Sequence, residues 1–342
     1  MTQQVRAVLV GCGGMSHAWL DAAAKIPAVK IVGLVDINDE AARTRREKFK
    51  LDDAVVGTDL PAVVAKVRPD VVFDCTVPEA HAPVTLAALQ HGCHVLGEKP
   101  LADSMENAHR MVAAAKKAGK IYAVIQNRRY YPHVRRIRNF LSLGAIGPIT
   151  TINSDFYIGA HFGGFRDRMK HPLVLDMAIH TFDTARFLTG ADPVAVYCKE
   201  WNPAGSWYDH AASAVATFEM TNGIIYSYRG GWSAEGLNSD WAADWRIIGT
   251  RGTAKWNGQE VFQAEVVTKT EGFTSELRAA DWPDFDPGEK TDGHVGLIRE
   301  FVRCVQAGET PETICTDNIK SLAMVFGAIE SAETGQRVEI KL

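Results

Sequence analysis

The first 125 residues alternate short, almost continuously apolar runs with amphipathic stretches of helical length. The apolar runs are RAVLV (6–10), VKIVGLVD (29–36), PDVVFDCT (69–76), HVLGEKP (94–100) and IYAVIQ (121–126). Strands that are apolar on both faces, each separated from the next by a helix, are typical of a parallel sheet covered by helices on both sides. This pattern predicts a doubly wound α/β domain over residues 1–125.

The pattern changes after Gln126. Runs that resemble strands lie at 149–158, 194–200, 211–220, 223–232, 244–250 and 252–256, and helix-like blocks lie at 132–143, 173–190, 293–307 and 316–332. The pairs Asn222-Gly223 and Asn257-Gly258 are turn signals of the kind that join antiparallel strands. A chain of 342 residues is also about twice the usual length of one domain. We therefore predict a second, α+β domain over residues 126–342, built on a largely antiparallel open sheet.

Composition narrows the classes of partner. A net charge of −4 argues against a nucleic acid or an anionic membrane as the main partner. No apolar run approaches the ~20 residues of a membrane helix, and the first residues lack the pattern of a signal peptide. The six cysteines are scattered without a C-x-x-C pair, so we interpret them as small apolar residues in a reducing compartment. We expect a soluble, cytoplasmic protein.

A glycine-rich segment follows the first strand directly and opens the first helix. Gly11 permits a sharp turn, and Gly13 lets backbone N–H groups approach a pyrophosphate, while the helix N-terminus adds partial positive charge. Ser16 stands where the dinucleotide-binding pattern has glycine or alanine, and serine is small enough to fit. The segment predicts a Rossmann-type site whose cofactor contacts are Gly11, Gly13, Gly14, Met15 and Ser16.

Asp36 ends the second strand, where a carboxylate can accept hydrogen bonds from the ribose hydroxyls of NAD and repel the 2′-phosphate of NADP. Arg43, Arg45 and Arg46 follow it and could in principle hold that phosphate, although arginines at helical spacing more often form a solvated face. The sequence favours NAD and leaves NADP possible.

Two further strand ends carry candidate groups, because ligands of open α/β sheets bind outside the carboxyl ends of the strands. After the run 69–76, the candidate cofactor contacts are Thr76, Pro78 and His81, although His81 could simply begin a helix. After the run 94–100, the candidates are Glu98 and Lys99. A lysine at such a strand end is often only a solvated charge.

In the second domain, Asp176 and His180 lie four residues apart in an otherwise apolar helix-like block. Residues at this spacing share one face, so the carboxylate could steer the imidazole or stabilise its charge. Asp183 is a competing partner. Such a pair could also be structural or half of a metal site, but no H-E-x-x-H motif or Cys/His cluster supplies further ligands. We predict no metal.

Together these motifs resemble those of the Gfo/Idh/MocA oxidoreductases, which include inositol dehydrogenase, glucose–fructose oxidoreductase and many sugar dehydrogenases. The resemblance rests on the G-x-G segment, Glu98-Lys99-Pro100, the stretch 126–130 (QNRRY) and Asp176-x-x-x-His180, and it covers essentially the whole chain. It implies that Lys99, Asp176 and His180 surround the reacting carbon. Many members have three glycines before the aspartate, where this chain reads HPLVL (171–175), so the resemblance leaves the substrate contacts near 165–173 open.

The chemistry of these residues agrees with that implication. Oxidation of a secondary alcohol needs a base for the hydroxyl proton, and a histidine, whose ordinary pKa is about 6.5, suits this role near neutral pH. Lys99 can stabilise the developing alkoxide or polarise the carbonyl in the reverse direction. Asp176 would bind substrate hydroxyls or orient His180. The sequence thus predicts an NAD-linked dehydrogenase or reductase of a sugar, an inositol-like polyol or a sugar derivative.

Other side chains could shape the substrate site. Asn127, Arg128 and Arg129 are candidates, the arginines because they could orient a hydroxylated or anionic ligand. We interpret the wider run, which continues with Arg135, Arg136 and Arg138, as an exposed helix face. All tryptophans except Trp19 lie in the second domain. Tryptophan faces suit the apolar side of a sugar ring, but most aromatics in strands pack the sheet, so we expect one or two at most to touch substrate.

Two alternative functions remain open. An NAD-dependent glycoside-cleaving enzyme would oxidise a sugar transiently, eliminate a substituent and take the hydride back. A non-catalytic nucleotide sensor would have no need of Lys99, Asp176 and His180 together, which counts against it. As in the resembled family, the open sheet of the second domain is expected to form the interface of a homodimer or homotetramer.

Overall fold

The computed structural model describes residues 4–282 and 284–342, which form two compact units. One unit comprises the chain up to Tyr130 together with Gly288–Leu322, and the other comprises Tyr131–Pro287 together with Ala323–Leu342. The predicted boundary at residue 125 lies close to Tyr130. The stretch Gly288–Leu322, which the sequence pattern placed in the second domain, clusters with the first unit, because a helical periodicity does not reveal which sheet a helix covers.

The first unit contains a six-stranded parallel sheet in the order β3-β2-β1-β4-β5-β6. Its strands are β1 (Val5–Val10), β2 (Val29–Val35), β3 (Val55–Gly57), β4 (Val71–Asp74), β5 (His94–Gly97) and β6 (Tyr122–Val124). The helices between them are α1 (Ser16–Ala24), α2 (Asp39–Lys48), α3 (Leu60–Val67), α4 (Pro78–Gln90) and α5 (Met105–Ala118). The predicted doubly wound sheet is confirmed. The strand order reverses at β1, between β2 and β4, which is where such sheets bind ligands.

Local sequence explains most of these elements. All four residues of β4 are buried, as expected of a central strand that is covered on both faces. Ser104 caps α5 by accepting a hydrogen bond from the Asn107 N–H, and Gly119 ends the helix in the left-handed conformation. Strand β3 was not predicted, because a three-residue strand carries almost no periodicity, and the helix α3 that follows it was not predicted either.

The second unit is built on a nine-stranded sheet in the order β14-β13-β12-β11-β7-β10-β9-β8-β15. Its strands are β7 (Ile149–Tyr157), β8 (Pro193–Trp201), β9 (Ser213–Met220), β10 (Ile225–Gly231), β11 (Asp244–Gly249), β12 (Gly252–Trp256), β13 (Phe262–Lys269), β14 (Glu276–Ala279) and β15 (Val338–Glu339). Strands β7 and β10 pair in parallel, and the other described pairs of this sheet are antiparallel. This confirms the predicted α+β architecture, although β13, β14 and β15 were not predicted.

The remaining helices are α6 (Pro132–Ser142), α7 (Phe165–Arg168), α8 (Ile179–Thr189), α9 (His294–Ala307) and α10 (Cys315–Thr334). The division between the units falls within α10. Phe182 of α8 packs edge-on against Phe218 and Tyr228, which fixes α8 on strands β9 and β10. None of the helices among the described residues has the length and apolar character needed to cross a membrane.

The block predicted as one helix, 173–190, differs in its first part. Residues Pro172–Ala178 form a π-helical turn that leads into α8. Apolar periodicity cannot distinguish such a wide turn from a regular α-helix over so few residues. Single π-helical turns are rare and are frequent at functional sites, and this one contains Asp176.

Candidate functional site

The turn after β1 requires glycine at its first position. Gly11 has φ of +88°, and its N–H donates to the Val35 carbonyl at 2.8 Å. A Cβ at Gly11 would lie 2.6 Å from the carbonyl oxygen of Cys75 at the end of β4. Gly11 therefore brings β1 and β4 together at their carboxyl ends.

Gly13 and Gly14 differ from Gly11, because a Cβ at either position would meet nothing within 4 Å. Packing within the protein therefore does not require glycine at these two positions. The absence of side chains leaves free space beside the N-terminus of α1, next to the exposed Met15. The Gly13 carbonyl accepts hydrogen bonds from Ser16 Oγ at 2.6 Å and from Arg45 Nη2 at 2.9 Å. These bonds hold the loop in shape and explain the serine at position 16, which is fully buried.

The guanidinium of Arg45 is thereby committed to the loop, since its Nε also donates to Ser16 Oγ at 2.7 Å. Arg43 is bonded to Asp39 within α2. Two of the three arginines considered for a 2′-phosphate thus have other partners, as expected for a site that takes NAD.

Asp36 lies directly after β2 and is bonded to the same loop. Its Oδ2 accepts from the Cys12 N–H at 2.7 Å and its Oδ1 accepts from the Asn38 N–H at 2.8 Å. A carboxylate has about four acceptor positions, so two stay available to ribose hydroxyls. Asp36 borders a cavity of about 440 Å³ whose walls include Gly11, Gly13 and Thr76, within the roughly 300–1,000 Å³ of small-ligand sites. These residues fit a bound dinucleotide.

The end of β4 contains a buried polar cluster that the sequence analysis found only in part. His81 Nδ1 lies 3.0 Å from Asp74 Oδ2, and Thr76 donates to Asp74 Oδ1 from both its hydroxyl and its backbone N–H. Burial alone would lower the pKa of the His81 imidazole, but the adjacent Asp74 carboxylate outweighs it and raises that pKa above its ordinary value. Asp74 was missed because it reads as part of an apolar strand. Pro78 begins α4, and His81 lies within this helix.

Glu98 and Lys99 follow β5, as predicted. Glu98 is buried, and its Oε1 accepts from Trp19 Nε1 at 2.7 Å while its Oε2 accepts from the Lys99 backbone N–H at 3.1 Å. Glu98 therefore links α1 to the backbone of Lys99 and positions that residue. The side chain of Lys99 is half-buried. Trp19 was not predicted, because an aromatic residue in an amphipathic helix gives no signal of a polar partner.

Asn127, Arg128 and Arg129 form a 3₁₀ turn after β6. The interpretation of the arginine run as an exposed helix face is wrong: Arg128, Arg129 and Arg135 are buried. Arg129 Nη2 donates to Asp317 Oδ2 at 2.9 Å, so its buried charge is paired within the first unit. The pattern misled because Asp317 is too distant in sequence to be recognised as a partner.

His294, at the start of α9, is a further polar residue of this region in the first unit. Its Nδ1 lies 3.4 Å from Asn127 Nδ2. Burial lowers the pKa of the His294 imidazole, and Glu98 opposes that shift. No motif marked this histidine, because only the fold returns α9 to the first sheet.

In the second unit, Asp176 lies in the π-helical turn and His180 in the first turn of α8, and both are half-buried. Arg166 Nε donates to Asp176 Oδ2 at 2.7 Å. The competing residue Asp183 is buried, with Oδ1 4.0 Å from Arg186 Nη1. Arg166 was not predicted, because it falls in the stretch 165–173, where the resemblance leaves the substrate contacts open.

Aromatic side chains contact Arg166, and Tyr208 lies near enough to Arg166 and Asp176 to feel their charges. Burial raises the pKa of Tyr208 to about 12, helped by Asp167 and Asp176, and its hydroxyl donates to the Ala160 carbonyl at 2.8 Å. Tyr208 also stacks on the buried Trp232. Of the other tryptophans, Trp245 and Trp256 are buried as well, so these three pack the interior.

Comparison with known proteins assigns the family. Residues 5–126 match the Gfo/Idh/MocA model described as "Oxidoreductase family, NAD-binding Rossmann fold", and residues 134–255 match the model of the Gfo/Idh/MocA C-terminal domain. The two matches together cover most of the chain. The chain belongs to the Gfo/Idh/MocA family. The predicted NAD-binding Rossmann domain and the predicted oxidoreductase class are thus confirmed.

Two named relatives and one solved structure illustrate the range of the Gfo/Idh/MocA family. The chain is 28% identical to D-apiose dehydrogenase of Paraburkholderia graminis, over 99% of this chain and 90% of the relative. It is 25% identical to 1,5-anhydro-D-fructose reductase of Ensifer adhaerens, over 97% and 98% of the two chains. An oxidoreductase from Agrobacterium radiobacter, solved in complex with NAD⁺, L-tartaric acid and magnesium, superimposes with a TM-score of 0.86 over 99% of both chains at 21% identity. At that identity the superposition shows the shared fold alone.

Within each unit, the structure of this Gfo/Idh/MocA oxidoreductase brings predicted residues together. Gly11, Gly13, Asp36 and Thr76 border one cavity of the first unit, and Asp176 and His180 share one helical segment of the second. Across residues 4–282 and 284–342, no group of three or more His, Cys, Asp or Glu side chains is arranged to hold a metal ion.

Proposed function

We propose that this oxidoreductase oxidises a secondary alcohol of a sugar, polyol or sugar derivative, or reduces the corresponding ketone, with NAD as its cofactor. Two relatives with full-length matches are named for sugars, D-apiose and 1,5-anhydro-D-fructose. The two domain models that match the chain belong to the same oxidoreductase family, and they match in the order N-terminal domain, then C-terminal domain.

The observation that carries the proposal is the placement of Asp176 and His180. A π-helical turn is an unusual way to begin a helix, and such turns are frequent at functional sites. Here the turn carries a half-buried carboxylate fixed by Arg166, and the half-buried His180 follows directly. An ordinary packing helix would need none of these features.

NAD, when bound, supplies the hydride acceptor for the carbon that is oxidised. The residues that would hold it are Gly11, Gly13, Gly14, Met15 and Ser16 of the loop, Asp36 for the ribose, and Thr76, Pro78 and His81 together with Glu98 and Lys99 at the ends of β4 and β5.

His180 accepts the proton of the substrate hydroxyl as the alcohol is oxidised, and returns it in the reverse direction. The Lys99 ammonium stabilises the negative charge that develops on the oxygen. Asp176 orients His180 or binds a neighbouring hydroxyl, and Asn127, Arg128 and Arg129 contribute to substrate binding. Because His180 carries the proton and Lys99 stabilises the charge, loss of either should lower kcat. Loss of His180, which is not among the residues that would hold NAD, should also leave the affinity for NAD unchanged.

We also propose assembly into a homodimer or homotetramer through the open face of the nine-stranded sheet. A groove of about 700 Å³ on this sheet is bordered by Asp155, Arg229 and Arg246, and Tyr197 and Trp201 of β8 are exposed. Light scattering on the purified chain would test this: a monomer at all concentrations contradicts it.

The six cysteines are free and buried, in keeping with the expected cytoplasmic location.

The decisive experiment measures NADH absorbance with purified protein, NAD or NADP, and a panel of aldoses, inositols, sugar acids and aryl glycosides. Steady NADH formation with one member supports the proposal and names the substrate class. Release of an aglycone that requires bound NAD, without net NADH, would replace it with the glycoside-cleaving alternative. Binding of a nucleotide with neither reaction would favour a sensor.

A further inference from the structure

Arg166 lies beside the proposed catalytic carboxylate, on the short helix α7. This helix follows Gly163 and Gly164, both with positive φ. The contact from Arg166 Nε to Asp176 Oδ2, at 2.7 Å, leaves the side chains 30% and 12% exposed. The guanidinium is thus partly exposed and fixed directly beside the largely buried Asp176 carboxylate.

Two aromatic rings hold the guanidinium in its orientation. Its central carbon lies 5.1 Å from the ring centroid of Phe162 and 4.7 Å from that of Phe165. Both rings are exposed, at 47% and 56%. Arginine stacks on such rings without using its N–H groups, so the rings fix its plane and leave its donors available.

The contact with Asp176 uses one of the five N–H donors of a guanidinium. Among the described residues, the side chain of Arg166 makes this single hydrogen bond, which leaves the edge formed by its two terminal nitrogens open. That edge donates two parallel hydrogen bonds and matches the two oxygens of a carboxylate.

The surrounding charges favour an anion. The segment 161–171 contains three Arg or Lys residues and one acidic residue. Two carboxylates near this segment are bonded to its histidines: Glu235 to His161 at 2.7 Å and Glu200 to His171 at 2.6 Å. These carboxylates therefore already have cationic or donor partners, and Asp176 has Arg166.

We propose that Arg166 binds a carboxylate of the substrate, so that the substrate is a sugar acid, such as an aldonate or a uronate, rather than a neutral sugar. This inference rests on the proposed function, because Asp176 marks the substrate site only in that enzyme. One planar fork matches one planar carboxylate. A phosphate monoester carries a charge of about −1.5 to −2 at pH 7, which is more than one fixed guanidinium neutralises.

Matched substrates test the proposal in the wild-type protein. NADH formation is compared for D-gluconate against D-glucitol and for D-galacturonate against D-galactose, with D-glucose 6-phosphate as the phosphate arm. Each pair differs by a carboxylate in place of a neutral group. The acid should exceed its neutral partner in kcat/KM by at least about tenfold, since the neutral group cannot form the charge-assisted pair of hydrogen bonds with the guanidinium. Equal use of the neutral partner, or preference for the phosphate, overturns the proposal.

Two substitutions of Arg166 and one control identify the residue responsible. Arg166→Gln should lower kcat/KM for the acid about tenfold more than for the neutral partner. Arg166→Lys should recover only part of the lost kcat/KM for the acid, because lysine keeps the positive charge but lacks the two parallel N–H donors of a guanidinium. Arg168→Gln, at an exposed arginine of the same helix, should leave kcat/KM unchanged for both the acid and the neutral partner. If Arg166 only positions Asp176, Arg166→Gln will lower both activities equally, and the proposal fails.

Calorimetric titration of the NAD-loaded protein with D-gluconate and D-galacturonate separates this inference from the proposed function. Binding of either acid that is lost in Arg166→Gln, with no NADH from any substrate, supports the carboxylate site and contradicts the proposed reaction. NADH formation from neutral sugars without any preference for acids supports the proposed reaction and contradicts the carboxylate site. Absence of both acid binding and turnover overturns both.

Discussion

Replacing Gly13 with alanine should weaken cofactor binding without weakening the fold. A Cβ at Gly13 meets nothing within 4 Å, and the residue has no φ in the left-handed region. Its carbonyl keeps the hydrogen bonds from Ser16 and Arg45, which do not involve the added atom. The free energy of unfolding should therefore stay level or rise by about 0.4–1 kcal/mol, because alanine restricts the unfolded chain.

Affinity for NAD should fall at least about tenfold in Gly13→Ala, because the new methyl group occupies the cradle that a pyrophosphate needs to approach the backbone. Gly11→Ala is the matched contrast. Its Cβ would lie 2.6 Å from the Cys75 carbonyl oxygen, at φ of +88°, so we expect a loss of about 1–3 kcal/mol from backbone strain alone, with the steric overlap adding to it.

Thermal unfolding without NAD and titration of NADH fluorescence measure the two effects separately. The reasoning would be refuted by Gly13→Ala protein that binds NADH with unchanged affinity. It would equally be refuted if Gly13→Ala lost as much stability as Gly11→Ala, since the open space beside Gly13 would then be filled in solution.

Three further predictions test other parts of the site. His180→Ala should lower kcat by about 10²–10⁴-fold with NADH affinity unchanged; near-normal steady-state turnover would reject its role as base. His81→Gln should cost about 3 kcal/mol near pH 6 in urea unfolding, because it leaves Asp74 buried without its cationic partner. Since the pKa of His81 is raised in the folded state, the pair's contribution is complete below pH 6.5 and is lost as the pH rises through the raised value. The difference in unfolding free energy between variant and wild type should therefore narrow as the pH rises from 6.5 through that raised value, and a constant difference would contradict the ion pair. Trp19→Phe removes the hydrogen bond to the buried Glu98 and should cost about 1.5–3 kcal/mol, measured in the same way, whereas a variant as stable as wild type would show that this bond contributes nothing.

The parts of the fold that were predictable are those in which one residue type serves one local purpose. The buried strands of the first sheet read directly from their apolar runs, and Gly11, followed by a helix start, marked the phosphate loop. Short strands such as β3 and β15 were missed, because a strand of two or three residues is stabilised by its neighbours in the sheet rather than by its own pattern.

The sequence can propose candidate site residues where a motif keeps them close together, as for Asp176 and His180, which remain a prediction. The partners that position them were not predictable. Trp19 is 79 residues from Glu98, and Asp317 is 188 residues from Arg129. At such separations nothing in the local pattern distinguishes a paired charge from a solvated one, and the arginine run was misjudged for this reason.

Arg166 shows why the missing partners matter for function and not only for stability. A free aspartate before His180 would favour neutral substrates, because a carboxylate accepts hydrogen bonds from sugar hydroxyls and repels acids. Arg166 compensates the charge of Asp176 and still offers an unused donor edge, so the same D-x-x-x-H motif presents a surface that attracts an anion. Two chains with identical motifs can therefore differ in substrate class through one residue ten positions upstream. The residues that determine specificity in this chain should accordingly be sought among the contacts of the motif rather than within it.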